Sequence, residues 1–297
     1  MFAFSGPVLW AASAHIDKYL VDRYFQNADT AVLMVFTAVI GLVMLPFIAV
    51  LQPHALALDS TSIAVMATSG ILYMGAMLFY LRAIQTTEAS VIAPLFQAST
   101  VFTLILGYLL LGEALTVRKL VGVGLIVTGA LLLSVRGLHG ARAGGRLIAL
   151  MLAATFVVAL ASVIFKYFVV RDEFWSTTFW MFVGEALFGA GILVIPSYRR
   201  QFARLLRTNT SALLGVNAAN ELINLGGGLG VRFASLLAPV AVVSAISSTT
   251  TLFVFGFGVL LTYVAPWLGR EDLSPGNLAR KGIAALVVAA GVCLAAF

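Results

Sequence analysis

The polar groups with the most chemistry to offer sit inside apolar sequence. Asn217, Asn220, Glu221 and Asn224 recur at i, i+3, i+4 and i+7, a spacing that sets them on one helical face along about 10 Å of axis. Three amides and a carboxylate in one stripe either line a cavity for solute and water or join helices as hydrogen-bonding glue. Glu221 adds charge chemistry. It would bind a cation or a proton in alternation, or form a permanent ion pair with Lys18 or Lys166. His15, Lys18 and Tyr19 share a second polar face, with Asp17 to its side. Lys18 and Lys166 suit alternating gates or anchors for a carboxylate or phosphate, and snorkelling to the membrane surface is the equal alternative. Glu185, between Phe182 and Phe188, is a third intramembrane acid that pairs with a lysine or lines the cavity. His15 reads as a hydrogen-bonded interior residue, because His54 and His139 fall in separate loops. With Cys293 the single cysteine, neither a metal site nor an internal disulfide is expected. HExxH, GxSxG and paired intramembrane aspartates are all lacking, so no enzyme and no cofactor is expected.

These groups need elements that shield them from lipid. Of 297 residues, 61% are hydrophobic and 10% charged, with net charge +6, and the mean hydropathy is +1.05. Soluble domains carry roughly a quarter charged residues, which excludes a soluble enzyme, a nucleic-acid-binding domain and a disordered chain. The opening MFAFSGPVLW has no basic n-region or small-residue cleavage site and reads as part of a first span. A spanning helix needs about 20 mostly apolar residues. This predicts spans near 4–25, 29–51, 61–83, 89–111, 117–136, 146–170, 175–196, 211–233, 238–265 and 279–297. Unbroken runs such as GVGLIVTGALLLSV argue against transmembrane strands. The expected fold is an all-α polytopic membrane protein of ten transmembrane helices.

Loops on one side hold twelve Lys and Arg; the other side holds four, Arg118, Lys119, Arg171 and Arg232. The positive-inside bias then directs the odd-numbered loops to the cytoplasm and both termini outside. Arg199, Arg200, Arg204 and Arg207, in the loop Ser197 to Arg207, read as a topology determinant facing anionic lipid. Trp175, Trp180 and Trp267 read as interfacial belt residues.

The chain repeats itself. HIDKYLV at 15–21 aligns with VIFKYFV at 163–169, pairing Lys18 with Lys166 at an offset of 148. Residues 82–99 align with 232–249 at 150, and Arg118-Lys119 with Arg280-Lys281 at 162. The preserved order predicts two five-helix repeats, 1–140 and 141–297, within one membrane domain. Five is odd, so the second repeat crosses the membrane in the opposite sense, as in secondary transporters whose substrate sits between inverted repeats. Pro94 and Gly226–Gly230 are candidate hinges; the glycine run permits either close packing or local unwinding.

YLRAIQTTEASVIAP at 80–94, LLLGEALT at 109–116, Gly122 and Gly129 together resemble the EamA family of the drug/metabolite transporter superfamily. Pro7-Val-Leu-Trp10 fits the family's usual opening. The resemblance is clearest over 73–135; in the second half Thr262-Tyr263 stands where Gly112-Glu113 stands in the first. It implies ten helices around a central cavity near Tyr73 and Gln97, export (less often import) of small metabolites, and cytoplasmic termini, against the charge count.

The expected function is a secondary transporter, an exporter of a small metabolite such as an amino acid or another amphiphilic or zwitterionic solute. The lysines favour an anionic group and Glu221 and Glu185 a cationic one, and a zwitterion satisfies both. Without a GxxxxGK[ST] loop, this chain itself is not driven by ATP. The alternatives are a flippase presenting Lys18 and Lys166 to a lipid-linked phosphate and a non-transporting membrane scaffold. Expected partners are a small-molecule substrate and membrane lipid, with no nucleic acid and a homodimer as the candidate assembly. The expected location is the bacterial inner membrane.

Overall fold

The computed structural model describes residues 2–25, 28–86, 92, 95–114, 116–137, 144–208, 210–265 and 273–296. His139, Pro94 and Trp267 fall outside them. All regular structure among the described residues is helical: α1 (Ser5–Tyr24), α2 (Ala31–Leu51), α3 (Ser60–Thr86), α4 (Ala98–Leu111), α5 (Val117–Gly137), α6 (Gly144–Arg171), α7 (Phe174–Val194), α8 (Pro196–Thr208), α9 (Thr210–Leu237), α10 (Val240–Ser247), α11 (Thr250–Val264) and α12 (Pro275–Ala296). Six stretches are long and apolar enough to cross a membrane: Ala31–Leu51, Ser60–Gln85, Leu147–Arg171, Phe174–Val194, Val240–Val264 and Pro275–Leu294; Ala98–Leu111 is a shorter apolar helix. Such helices satisfy their backbone groups internally, which the bilayer demands. The protein is an integral membrane protein.

Local signals explain several boundaries. Asp59 accepts hydrogen bonds from the Ser62 hydroxyl and from the amides of Thr61 and Ser62 at 2.9 and 3.0 Å. These bonds start α3 and hold the Asp59 carboxyl below the usual carboxylate range. Gly112 ends α4 in the left-handed conformation, φ 66°, which glycine adopts without a Cβ clash. Glu113 then turns back onto α10, accepting the Val240 and Ala241 amides at 2.7 and 3.3 Å. These are N-terminal donors that a helix leaves without internal partners. Tyr263, aligned with Glu113, is instead 75% exposed.

Helices meet closely where glycine removes the side chain. A Cβ on Gly184 of α7 would lie 1.9 Å from the Ala67 carbonyl oxygen of α3, and one on Gly70 of α3 would lie 2.1 Å from that of Met181. The α5–α12 contact is reciprocal: Gly129 packs on Ala284 and Val288, and Gly291 on Gly122 and Ile126. Backbones in van der Waals contact are a recurrent solution where no hydrophobic effect joins helices within lipid.

Three expectations change. The stretch Ser197 to Arg207 is helix α8, not a loop. Pro196 opens it at a position that suits proline's fixed φ, Leu205 is buried in the main core with Tyr198, Phe202 and Leu206 against it, and Arg199, Arg200, Arg204 and Arg207 are exposed. The predicted span 238–265 is divided at Ser248–Thr249 into α10 and α11. Arg232, counted with a loop, lies inside α9 and is ion-paired to Glu185, so it does not belong in the charge bias. Trp180 is partly buried, its ring packed on Phe179 and its indole nitrogen without a partner among the described residues.

Candidate functional site

One end of the polar stripe of α9 faces a cavity of about 240 Å³. Glu221 and Asn224 line it, and the same face continues through Gly228, Arg232 and Ser235. Gly227 lets α1 approach, since a Cβ there would sit 3.0 Å from the Trp10 indole nitrogen. The helix is unbroken through Gly226–Gly230, so close packing, not unwinding, is the use made of the glycine run. From α1 come Trp10, Ser13 and Asp17; α2 brings Thr37, α3 Tyr73 and Tyr80, and the break between α10 and α11 Ser244, Ser247 and Thr250. Gln97, at the N-cap of α4, also lines the cavity. Methionines 34, 74, 77 and 181 fill the apolar wall, flexible side chains that adapt to varied shapes.

Two polar pairs join α9 to α1 and α2. The Asn220 amide donates to Asp17 at 2.7 Å, and the Thr37 hydroxyl donates to Glu221 at 2.6 Å. Further along α9, Arg232 donates to Glu185 at 2.9 Å. Its guanidinium lies 4.8 Å from the Phe182 ring centre and 5.8 Å from that of Phe165, within the range of cation–π attraction. Where α4 crosses α10, the hydroxyls of Thr100 and Ser248 lie 2.6 Å apart, and Ser244 donates to Thr100 at 3.2 Å.

The predicted residues divide accordingly. Glu221, Asn224, Tyr73 and Gln97 come together on the cavity wall. Asn217 and Asn220 are buried behind it, at 3% and 0% exposure. His15 bonds through Nε2 to the Val254 carbonyl at 2.9 Å. Glu185 stands behind Arg232, outside the lining. Neither lysine lines the cavity. Lys18 donates to the Ile84 carbonyl at 3.1 Å and pairs with Asp22 at 3.1 Å. Lys166 donates to the carbonyls of Ser235 and, at 3.0 Å, Ala238. Each ammonium thus serves the C-terminal end of a helix, α3 or α9, where unsatisfied carbonyls and the helix dipole favour a cation.

Sequence reasoning left Trp10, Ser13, Asp17, Thr37, Tyr80 and Arg232 out of the binding set. Arg232 was within reach: extending the Glu221–Asn224 stripe by further turns gives 228, 232 and 235. Thr37, a lone hydroxyl in an apolar span, carried no such periodic signal.

The profile of the EamA-like transporter family matches residues 1–135. The resemblance read from residues 80–116 falls within this match, which covers the first 135 of the 297 residues. An "uncharacterized transporter in cobO 3'region" of Sinorhizobium sp. is 41% identical over 70 residues, which is 24% of this chain and 50% of the relative. The match therefore spans about half the length of that curated protein. A crystal structure of a protein superposes with a TM-score of 0.63 over 98% of this chain and 96% of its own, at 15% identity, a likeness of fold alone.

Proposed function

We propose that this chain is a secondary transporter that exports a small amphiphilic solute carrying an amino group, amino acids included, by alternating access between two inverted repeats. The observation that carries this reading is the position of the cavity, a solute-sized space in a membrane protein whose wall is shared by α1–α3 of one half and α9–α11 of the other. Helix packing supports the repeat. Exchanging the halves converts the α1–α9 contact into α6–α3 and the α4–α6 contact into α11–α1, while α2–α7 and α5–α12 map onto themselves. The two lysines obey the same exchange, each serving the helix end that the repeat assigns to it. The first-half match to a transporter family and the transporter relative from Sinorhizobium add to this. The flippase alternative gains nothing from the geometry, because neither lysine lines the cavity and both already serve backbone carbonyls.

The test uses the single, exposed Cys293. In a Cys293→Ser background, Asn224→Cys is exposed to a membrane-impermeant maleimide from either face of sealed vesicles. Alternating access expects labelling from both faces. Labelling from one face only, under all conditions, defeats the transporter reading.

A further inference from the structure

The described cavity wall contains two carboxylates, Asp17 and Glu221, one arginine, and no lysine or histidine. The arginine is already compensated, because Arg232 is bound to Glu185 and flanked by two phenyl rings. Among the described residues neither Asp17 nor Glu221 has a cationic partner; their partners are the neutral Asn220 amide and the Thr37 hydroxyl. A buried carboxylate without a counter-charge is costly, and an incoming cation offsets that cost. A second observation points to the same ligand. Ser13, 2% exposed, lines the cavity beside these groups on α1, and its Oγ has no partner among the described residues. Ser247 Oγ, also on the cavity wall, is likewise without one among the described residues. An ammonium brings several N–H donors, and hydroxyl and carboxylate oxygens accept them. Trp10, Tyr73, Tyr80, Phe96 and Phe165 complete the wall with ring faces that attract cations and apolar surface for a hydrocarbon body.

We infer that the cavity selects an amine on an aromatic or aliphatic body, its ammonium seated between Asp17 and Glu221, and rejects solutes bearing a carboxylate. A carboxylate would meet Asp17 and Glu221 as like charges in a poorly screened space, and the one guanidinium is held by Glu185. This narrows the reading above and rests on the cavity being the solute site of that transporter. It separates simple amines from amino acids, which that reading admits together.

Three probes with a common ring decide it: phenethylamine, phenylalanine and 3-phenylpropionate, titrated against the melting temperature of the purified full-length protein in detergent. A ligand that binds the folded state stabilises it by linkage. The expected result is a saturable rise with phenethylamine, binding at least tenfold weaker for phenylalanine, and no shift with phenylpropionate. Asp17→Asn and Glu221→Gln should each weaken amine binding at least tenfold, and Lys18→Met should leave it unchanged. Equal or tighter binding of phenylalanine, no saturable shift with the amine, or amine binding indifferent to both carboxylate substitutions overturns the inference. If one variant fails to fold the other decides, and if both fail the ranking of probes on the unaltered protein does. Amine binding together with maleimide labelling from one face keeps this site and removes the transporter. Labelling from both faces with no amine binding does the reverse.

Discussion

Glu185 and Glu221 are equally buried, each 5% exposed, and both were candidates for the same task. Their neighbours separate them. Glu185 faces the Arg232 guanidinium at 2.9 Å, itself enclosed by Phe182 and Phe165. Glu221 faces a threonine hydroxyl at 2.6 Å and open cavity. Burial marks a carboxylate as costly, but the partner decides whether it holds the fold or waits for a ligand. Placing Glu185 against Arg232 also offsets the one positive charge on the described cavity wall that a carboxylate solute would seek.

The severest test of this contrast is Glu185→Ala. It leaves Arg232 charged, 15% exposed at its side chain and without its partner, and breaking a buried pair in this way costs about 3–5 kcal/mol. The expected outcome is a large fall in the detergent melting temperature. Glu185→Met combined with Arg232→Met should recover most of it, since an apolar pair of similar volume leaves no buried charge. A double variant as unstable as the single one would show that Glu185 acts through something other than Arg232.

The two lysines sharpen the comparison at smaller scale. Lys166 joins two carbonyls at the corner between α9 and α10, and Glu113 caps α10 there. Lys18 holds one carbonyl and Asp22, whose side chain is 55% exposed, a pairing that solvent weakens. Lys166→Met should therefore cost about 1–3 kcal/mol, the range for orphaning buried acceptors, and Lys18→Met distinctly less. Thermal melts of the two variants side by side check this; the opposite order would break the assignment of the Lys166 corner as the firmer one.

Legibility in the sequence followed the range of the interaction. The apolar runs placed the six membrane-long stretches because membrane insertion is written in local hydropathy, and the end of the α9 stripe at Glu221 and Asn224 marked part of the cavity wall because helical periodicity is local too. Pairings across helices were not legible. Nothing in the order of residues says that Arg232 meets Glu185 or that Thr37 meets Glu221, because such contacts depend on which helices pack and at what height. The lysines stayed divided between solute anchors and snorkelling for the same reason: their carbonyl partners on α3 and α9 carry no side-chain signature. Helix α8 was missed because its four arginines outweigh Tyr198, Phe202 and Leu205 in a hydropathy reading, although those three share the face that packs on the core.

The smallest effect on stability, and the most discriminating, belongs to Glu221→Gln. The amide oxygen can still accept the Thr37 hydroxyl, so the hydrogen bond survives. What disappears is a negative charge with no cationic partner among the described residues, and its removal relieves a desolvation cost. The expected outcome is a melting temperature equal to or above that of the unaltered protein, within about 1 kcal/mol, the net worth of one ordinary hydrogen bond. Glu185→Gln, measured alongside, removes charge from a matched pair and should fall well below it. Should Glu221→Gln prove as damaging as Glu185→Gln, Glu221 must have a structural counter-charge of its own. The contrast between a carboxylate that holds helices and one that faces a solute would then collapse, and the preference for amines with it.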